Sequence, residues 1–358
     1  MPKYDICIMT SVHPRDDSRI YHKQAKTLAS RYRVLMLAHD GEEGLDGAGI
    51  AHLQIGVPKG RLARIASSWA RYLLAALKSG ARICIIHDPE LIPAGLLLKR
   101  CGRRAVVDLH EQLGAQTLTK DWIPAFLRPA ASVLAGGLVR AASRRFDAVL
   151  CASPAIRREL GGRATVIRNY PLAEEYPPSA APARTGDACY IGTISVRRGM
   201  ETMARSARLA GATLHLAGDI EDARSRKIIL DGRRGGYIRY YGRLGRGELA
   251  RLMSRCSTGL CLLRAQGGYP LSIPVKLFEY LAAGLHVVAS DFPYWRRLTA
   301  GVRLIDFADP DDSVRTAALI RKNAREPKPR SEAERQKILS RFCWSGEGKK
   351  LLEAIEAL

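Results

Sequence analysis

Short, almost continuously apolar runs alternate with amphipathic segments along the first half of the chain. The runs lie at residues 4–10, 33–39, 82–87, 104–110, 147–151 and 164–169. Such uninterrupted apolar runs are typical of strands that are buried on both faces. Because helical patterns such as 18–31 and 89–100 lie between them, the pattern predicts a βαβ series and therefore a parallel, doubly wound sheet.

The alternation stops and then starts again in the second half. Residues 170–186 are rich in proline and alanine and have neither a helical nor a strand period, which is typical of a linker. Further strands are expected at residues 187–193, 212–218, 237–242, 258–264, 286–290 and 302–305. The chain is therefore predicted to be α/β, with two Rossmann-like, parallel-sheet domains that face a cleft. Its predicted parts are an N-terminal domain, a linker, a C-terminal domain and a terminal helix, at residues 1–171, 172–186, 187–340 and 341–358.

One carboxylate, Glu279, stands in an otherwise apolar segment, PVKLFEYLAAGLHVVASD (274–291). Leu277, Tyr280 and Leu281 recur at helical intervals and predict a short helix, and Gly284 is expected to end it. A glutamate on a solvated helix surface is the ordinary interpretation of such a residue.

Candidate ligand-binding residues follow the predicted strands of the second half. In open parallel sheets ligands bind outside the carboxyl ends of the strands. Glycines let a backbone approach a ligand closely, arginine forks favour phosphate, and a carboxylate can accept hydrogen bonds from two neighbouring sugar hydroxyls. The set suits a nucleotide diphosphate, although glycines and surface arginines are ordinary at strand ends of any α/β protein. Neither GxGxxG nor GxxxxGK[ST] occurs in the sequence.

The cysteines, the first residues and the apolar runs of the sequence indicate the cellular compartment. The chain contains eight cysteines and no CxxC pair, and most of these cysteines fall in the apolar runs. This pattern favours a reducing cytoplasm over a disulfide framework. The sequence begins MPKYDICIMT, which enters a strand directly and does not resemble a signal peptide. The apolar run 129–139 is far shorter than the roughly 20 residues that a spanning helix needs, so any membrane association is expected to be peripheral.

The second half resembles the family 4 glycosyltransferases, which are retaining enzymes of the GT-B fold. The segments that carry the resemblance lie at residues 190–203, 214–219, 240–263, 274–291 and 342–358. The first half is similar to one branch of the same family at residues 10–29 and 87–111. The resemblance covers nearly the whole chain, and its most specific part is Lys-Leu-Phe-Glu-Tyr. It implies that the terminal helix packs back towards the N-terminal domain.

The resemblance also implies roles for individual residues. Glu279 would bind the ribose of the donor nucleotide, Arg198 would bind its diphosphate, and His110 would lie at the reacting sugar. The other residues assigned to the diphosphate are Gly192, Arg197 and Lys276. The residues that would border the nucleobase are Gly242, Arg243 and Leu244.

Three positions depart from the family pattern. A second glutamate that touches the donor sugar is replaced by Leu271, so Gly268 and Tyr269, or main-chain groups, are expected to hold the sugar. An arginine is replaced by Thr193, and Arg197 or Lys276 is expected to supply that charge. A proline is replaced by His286.

The chemistry of the family implies a reaction without a metal ion or another cofactor. Breaking a sugar–phosphate bond builds negative charge on the diphosphate, which Arg197 and Arg198 would stabilise. UDP or GDP is the expected donor nucleotide. The one DxD motif, at residues 309–311, precedes a predicted helix and is expected to cap it rather than to bind a metal.

The predicted function is that of a retaining hexosyltransferase. It would move a sugar from a nucleotide-diphosphate sugar to a polar acceptor, lipid-linked or glycan, in the synthesis of cell-surface polysaccharide or glycolipid. One alternative is a GT-B nucleotide-sugar 2-epimerase, and another is a non-catalytic basic protein that binds membranes or nucleic acid. Acceptor contacts are expected from His13, Asp17 and Arg19, although Asp17 could equally start a helix, and His110 could simply end a strand.

The net charge of +22 requires an explanation. Residues 51–172 carry nineteen basic and seven acidic side chains. On a helix through residues 61–78, one face would collect the basic side chains of Arg61, Arg64, Arg71 and Lys78. Because a basic surface attracts anionic lipid, we expect the N-terminal domain to dock peripherally on the cytoplasmic face of the membrane. Nucleic acid is not expected as a partner, since only 6% of the residues are aromatic and no recognition motif occurs.

Overall fold

The computed structural model describes residues 3–56, 58, 60–110, 114, 117–118, 123–176, 185–325 and 332–358. The chain forms two compact units. Unit 1 comprises Met1–Asn169 together with Ser345–Leu358, and unit 2 comprises Tyr170–Trp344. The last helix of the chain therefore belongs with the first unit.

The described residues of unit 1 form an eight-stranded sheet in the order β3-β4-β2-β1-β5-β6-β7-β8. All neighbouring pairs are parallel except β3 and β4. The strands are β1 (Ile6–Met9), β2 (Val34–Ala38), β3 (Gly44–Leu45), β4 (Ala51–Gln54), β5 (Ile83–Ile86), β6 (Arg104–Leu109), β7 (Ala148–Cys151) and β8 (Thr165–Val166).

Helices cover the sheet of unit 1. A π-helical segment, Ile20–Ala25, continues into the short helix α1 (Lys26–Ala29), and 3-10 turns occupy Pro89–Leu91 and Ala125–Leu127. The other α-helices are α2 (Arg61–Ser79), α3 (Ile92–Arg100), α4 (Arg128–Ser143) and α5 (Pro154–Glu159). Side chains of α2, α3 and α4 share one apolar core with β1, β5, β6 and β7, so these three helices lie in one layer.

The described residues of unit 2 form a six-stranded, fully parallel sheet in the order β11-β10-β9-β12-β13-β14. The strands are β9 (Ala188–Ile191), β10 (Leu214–Ala217), β11 (Ile238–Tyr240), β12 (Thr258–Cys261), β13 (His286–Ser290) and β14 (Ile305–Ala308). Two apolar cores, one on each face, cover this sheet, as its continuous apolar strands require.

The helices of unit 2 follow its strands in regular alternation. They are α6 (Met200–Ala210), α7 (Ala223–Arg234), α8 (Arg246–Arg255), α9 (Val275–Ala282), α10 (Pro293–Leu298), α11 (Ser313–Arg325) and α12 (Glu332–Arg341). Short 3-10 turns occupy Ala173–Glu175, Val196–Arg198 and Tyr269–Leu271. The final helix of the chain, α13 (Trp344–Glu356), is tied to unit 1, where Glu347 accepts a hydrogen bond from the amide of Arg168 at 2.8 Å.

The expected α/β class and the parallel sheets are confirmed, with three local differences. Strands β3 and β4 were not predicted. Strand β14 begins at Ile305, three residues later than the expected start at residue 302. The helix expected at 18–31 is shorter and begins as a π-helix. Asp17 precedes it and accepts hydrogen bonds from the amides of Arg19 and Ile20, which fixes the start of the helix. All eight cysteines are free thiols. None of the helices in the described part of the chain is both long enough and apolar enough to cross a membrane.

Candidate active site

The order of strands in unit 2 reverses at β9, which lies between β10 and β12. Such a switch point opens a crevice at the carboxyl end of the sheet. The chain leaves β9 at Gly192, where φ is +105°, a conformation that L side chains rarely adopt. A Cβ atom on Gly218, after β10, would lie only 2.2 Å from the carbonyl oxygen of Gly192. The two loops therefore pack backbone against backbone.

The side chain of Lys276 points at this crevice from the first turn of α9. Its Nζ atom is buried and has no hydrogen-bond partner among the described residues. It lies 3.9 Å from the centroid of the Tyr190 ring, and a Cβ atom on Gly192 would lie 3.2 Å from it. Burial, aided by the nearby charge of Arg198, lowers the pKa of Lys276 to about 8. A buried ammonium group that lacks a hydrogen-bond partner is a favourable position for an anion.

Arg198 brings a second cation to the same place. It ends the 3-10 turn Val196–Arg198 after β9, and its guanidinium carbon lies 5.7 Å from the ring centroid of Tyr269. Its Nε atom is buried and, within the described part of the chain, has no hydrogen-bond partner. Gly199 allows the close turn that follows, since a Cβ atom there would lie 2.1 Å from the carbonyl oxygen of Leu262.

Glu279 lies one helical turn after Lys276 on α9 and is partly buried. Its charge acts on Lys276 and on Tyr176, whose pKa is raised mainly by burial and further by Glu279. The helix is held over the end of β9 by Tyr280, whose hydroxyl accepts a hydrogen bond from the amide of Ile191 at 3.0 Å. Gly259 makes room for the Tyr280 ring, because a Cβ atom there would lie 2.4 Å from it.

The residues expected at the nucleobase follow β11 in the same unit. Gly242 has φ of +71° and accepts a hydrogen bond from the amide of Gly218 at 2.7 Å. Arg243 is exposed and donates to Asp219, and Leu244 packs on the core. The loop from Gly242 to Leu244 therefore borders the loop that follows β10.

The residues expected at the donor sugar lie before α9. Gly268 precedes the 3-10 turn Tyr269–Leu271, and the ring of Tyr269 lies beside Arg198. Leu271, in the position of the missing glutamate, is exposed. The turn is fixed from behind by Trp295, whose indole nitrogen donates to the carbonyl oxygen of Ser272 at 2.9 Å.

Arg197 differs from Arg198 in its surroundings. It is exposed, and its guanidinium donates to Glu221 at 3.0 Å. The structure therefore brings Arg198, Lys276 and Gly192 together, while Arg197 is directed to a carboxylate of its own. In the motif at 309–311, Asp309 accepts from the amide of Asp311, and Asp311 pairs with Arg264 at 2.8 Å.

In unit 1 the strand order reverses at β1, which lies between β2 and β5. His13, His87 and His110 follow β1, β5 and β6, so these three histidines cluster at the carboxyl end of the sheet. The Nε2 atoms of His110 and His13 are 3.0 Å apart, and His13 is 3.4 Å from Asp88. Burial lowers the pKa of His110 to about 4, and the charge of Arg19 acts in the same direction. His110 is therefore a neutral imidazole at pH 7.

Arg19 is part of the support beneath this cluster. Its guanidinium is buried and makes two hydrogen bonds of 2.8 Å to the carboxylate of Asp108, which also accepts from Gln24 at 2.6 Å. The third guanidinium contact is to the carbonyl oxygen of Ile167. An acceptor contact through Arg19 would require this ion pair to open. Asp17 is the partly exposed residue that starts the helix, as described above.

One group of described residues has a geometry that could hold a metal ion. Ligand atoms of His87, Asp108 and His110 all lie within 4.8 Å of one another. Both carboxylate oxygens of Asp108 are, however, already bonded to Arg19. An incoming cation would have to compete with a buried guanidinium, which does not favour metal binding.

Sequence reasoning missed two supporting networks. Asp108 is an acidic residue inside an apolar strand, and a buried carboxylate requires a partner. That signal could have identified the Arg19 pair. Tyr280 was interpreted only as a member of the apolar face of its helix, although buried tyrosine hydroxyls usually find a hydrogen-bond partner.

The basic face expected on α2 is only partly described. The side chains of Arg61 and Arg64 lie outside the described part of the structure. Arg71 and Lys78 are exposed, and Arg71 also donates to the carbonyl oxygen of Gly56 at 2.7 Å.

Comparison with protein families gives two matches that together span most of the chain. A "glycosyl transferase 4-like domain" matches residues 18–171, and a "glycosyl transferase-like" family matches residues 197–353. The chain belongs to the family 4 type of glycosyltransferases. The enzyme has the GT-B class of fold, as its sequence predicted. No curated protein matches this glycosyltransferase by sequence.

Solved structures support the fold of this glycosyltransferase. Sucrose-phosphate synthase from Thermosynechococcus elongatus is similar with a TM-score of 0.77 and 14% identity, covering 99% of this chain and 98% of that one. Anabaena HepE in complex with UDP and glucose is similar with a TM-score of 0.75 and 15% identity, covering 99% of this chain and 100% of that one. An E. coli trehalose-6-phosphate structure bound with UDP-2-fluoro glucose has a TM-score of 0.61 and 13% identity, covering 98% and 96%.

Proposed function

We propose that this glycosyltransferase moves a hexose from a nucleotide-diphosphate sugar to a polar acceptor, with retention at the anomeric carbon. The proposed acceptor is lipid-linked or a glycan, in the synthesis of cell-surface polysaccharide or glycolipid. The observation that carries the proposal is the buried ammonium group of Lys276, which lies beside Arg198 at the strand switch point and has no hydrogen-bond partner among the described residues.

A diphosphate would neutralise both cations. Lys276 and Arg198 would each gain the hydrogen bonds that their buried nitrogen atoms lack, and Gly192 would let the backbone approach the phosphate oxygens. As the sugar leaves, negative charge grows on the diphosphate, so fixed cations in a water-poor site stabilise the transition state. Arg197 is proposed as an outer contact that reaches the diphosphate by leaving Glu221. We propose no metal ion and no other cofactor.

The rest of the donor is assigned along the same rim. Glu279 would accept hydrogen bonds from the ribose hydroxyls, and Gly242, Arg243 and Leu244 would border the base. UDP is the first candidate because the structures of Anabaena HepE and of the E. coli neighbour contain UDP or a UDP sugar, and GDP is the second. With Leu271 in place of a glutamate, Gly268 and Tyr269 are the proposed contacts of the donor sugar.

The N-terminal unit is proposed to supply the acceptor side. A neutral His110 can hydrogen-bond to the reacting sugar without placing a positive charge beside the anomeric carbon, which itself becomes positive. His13 is the proposed neighbour at the acceptor, with Asp17 nearby, and Arg19 acts through Asp108 rather than by direct contact. The leaving diphosphate would take the acceptor proton on the face from which the acceptor attacks.

A cytoplasmic location, peripheral on the inner face of the cell membrane, is part of the proposal. The exposed basic side chains of Arg71 and Lys78 support it, since anionic lipid attracts such a surface by roughly 1 kcal/mol for each positioned cation. Nucleic acid is not a proposed partner.

Product analysis tests the reaction. The enzyme is incubated with UDP-hexoses and GDP-hexoses and a membrane lipid extract, in EDTA, and the released nucleotide and glycolipid are separated and analysed by mass spectrometry and NMR. Release of a nucleoside diphosphate together with an α-linked product from an α-linked donor supports the proposal. Inversion, or conversion of the donor to an epimer without transfer, contradicts it.

A further inference from the structure

Helix α4 presents an apolar face to solvent. Phe126, just before the helix, is 81% exposed, and on the helix Val133, Leu134 and Leu138 are 78%, 63% and 62% exposed. At 100° per residue these three helical positions fall on one side. Ala130, Gly137 and Ala141, which are also exposed, lie between them. We call this surface the α4 face.

The polar groups of the helix do not interrupt the α4 face. Ser132 is directed inward and donates to the carbonyl oxygen of Gly114 at 2.7 Å. Arg128 is partly buried and donates from Nε to the carbonyl oxygen of Ile123 at 2.9 Å. Val139, on the opposite side, packs into the core. The helix is therefore apolar inside and outside, which a surface helix in water does not need.

Arginines stand at the carboxyl end of the α4 face. Arg140, Arg144 and Arg145 are exposed, and no ion pair within the described part of the chain involves them. Lys99, at the end of α3, donates to the carbonyl oxygen of Arg145 at 2.9 Å and fixes the end of this segment. No acidic residue occurs from position 122 to position 146. Asp147, just beyond this stretch, pairs with Lys99 at 3.2 Å and with Arg104 at 3.3 Å. The exposed charges that belong to the end of α4 itself are therefore the three arginines.

The layer that contains α4 continues this chemistry. Helix α2 lies in the same layer over the sheet, and its exposed side chains include Arg71, Lys78 and, between them, Leu74, which is 57% exposed. Apolar side chains with cations at their margin match the interfacial zone of an anionic bilayer, where acyl chains lie below a layer of phosphates.

We propose that the α4 face is the surface through which this protein binds an anionic lipid bilayer. Val133, Leu134 and Leu138 enter the acyl boundary, and Arg140, Arg144 and Arg145 contact lipid phosphates. This deepens the proposed membrane association by moving its main contact from the basic face of α2 to α4. It does not depend on the assignment of the donor site.

Vesicle flotation tests the proposal. The full chain is floated with vesicles of phosphatidylglycerol and phosphatidylcholine, and with vesicles of phosphatidylcholine alone. The test variant is Leu134→Ser/Leu138→Ser. The matched control is Leu209→Ser/Val314→Ser. It removes two apolar side chains on helices of unit 2, of which Leu209 is 47% exposed and Val314 is 64% exposed. A second variant, Arg144→Gln/Arg145→Gln, removes charge only.

We expect the anionic vesicles to bind the wild type and the control equally. The leucine variant should bind at least about tenfold more weakly, because two apolar side chains no longer leave water on binding. The arginine variant should lose binding mainly at low salt, where charges are least screened. Equal binding by wild type and leucine variant overturns the proposal. Self-association of the wild type that the leucine variant abolishes, with no vesicle binding, also overturns it and assigns the face to a second copy of the chain.

Nucleotide binding measured on the same preparations separates the two proposals. A leucine variant that loses vesicles but keeps nucleotide affinity supports the α4 face whatever the donor proves to be. A wild type that binds vesicles but no nucleotide leaves the α4 face intact and contradicts only the donor site.

Discussion

The hydroxyl of Tyr280 accepts a hydrogen bond from the amide of Ile191 at 3.0 Å and so ties helix α9 to the last residue of strand β9. Ile191 immediately precedes the glycine that opens the proposed anion site, and Tyr280 immediately follows Glu279. This one buried contact therefore sets the position of the helix that presents both Lys276 and Glu279.

Tyr280→Phe should destabilise unit 2 and weaken nucleotide binding. The change leaves the buried amide of Ile191 without its partner, which costs about 1–3 kcal/mol. Urea unfolding followed by tryptophan fluorescence measures the loss. Tyr241→Phe is the control, because Tyr241 is 41% exposed and its hydroxyl contacts only His215 among the described residues. Equal stability of the two variants would show that the Tyr280 contact contributes little.

Lys276→Met should stabilise the protein without ligand. A lysine whose pKa is about 8 in the folded state and near 10.4 when unfolded costs stability wherever both states are protonated. The penalty is fully present below pH 8 and disappears as the pH rises past 10.4. We expect a gain on the order of 1–2 kcal/mol at pH 7. Lys322→Met, at an exposed lysine that pairs with Asp306, should change stability by less than about 0.5 kcal/mol.

Arg19→Met should be strongly destabilising. It leaves the buried carboxylate of Asp108 without its cation, a change that costs about 3–5 kcal/mol. The double variant Arg19→Met/Asp108→Leu removes both charges and should recover most of the stability. Chemical unfolding of the three proteins provides the test, and a double variant that is less stable than the single one would contradict the interpretation of this pair.

The stability of unit 1 should fall as the pH drops below 6.5. The pKa of His110 is about 4 in the folded state and near 6.5 when unfolded, so the folded state resists the proton that the unfolded state takes up. The contribution of neutral His110 is complete above pH 6.5 and is lost as the pH falls towards 4. His110→Gln should show a flatter profile between pH 7 and pH 5. Parallel profiles for the two proteins would contradict the lowered pKa.

The periodicity of apolar residues predicted most of the strands because both sheets are buried on both faces, so strands such as β1 and β9 are continuously apolar. It missed β3, which is two exposed residues long, and β4, whose last residue is exposed. It placed β14 three residues early, because Val302 and Leu304 are apolar but lie in the turn before the strand. Local pattern cannot separate such residues from a strand.

The candidate site was predicted as a set of residues but not as a geometry. The sequence placed Arg197 and Arg198 together, whereas only Arg198 is turned into the crevice and Arg197 faces Glu221. Adjacent residues in a 3-10 turn point in different directions, and the partner of each depends on loops that are distant in the sequence. The same limit applied to Arg19, whose partner Asp108 lies 89 residues away.

Calorimetric titration of UDP, GDP and ADP into the wild type, Lys276→Met and Lys322→Met, with EDTA present, tests the central claim most directly. The donor-site assignment predicts that one nucleotide binds the wild type and Lys322→Met with equal affinity. It also predicts binding to Lys276→Met that is at least about tenfold weaker, since a charge-assisted hydrogen bond contributes about 1.5–3 kcal/mol. Equal affinity for Lys276→Met, or no binding of any nucleotide to the folded wild type, would contradict the claim that Lys276 and Arg198 hold the diphosphate of a donor.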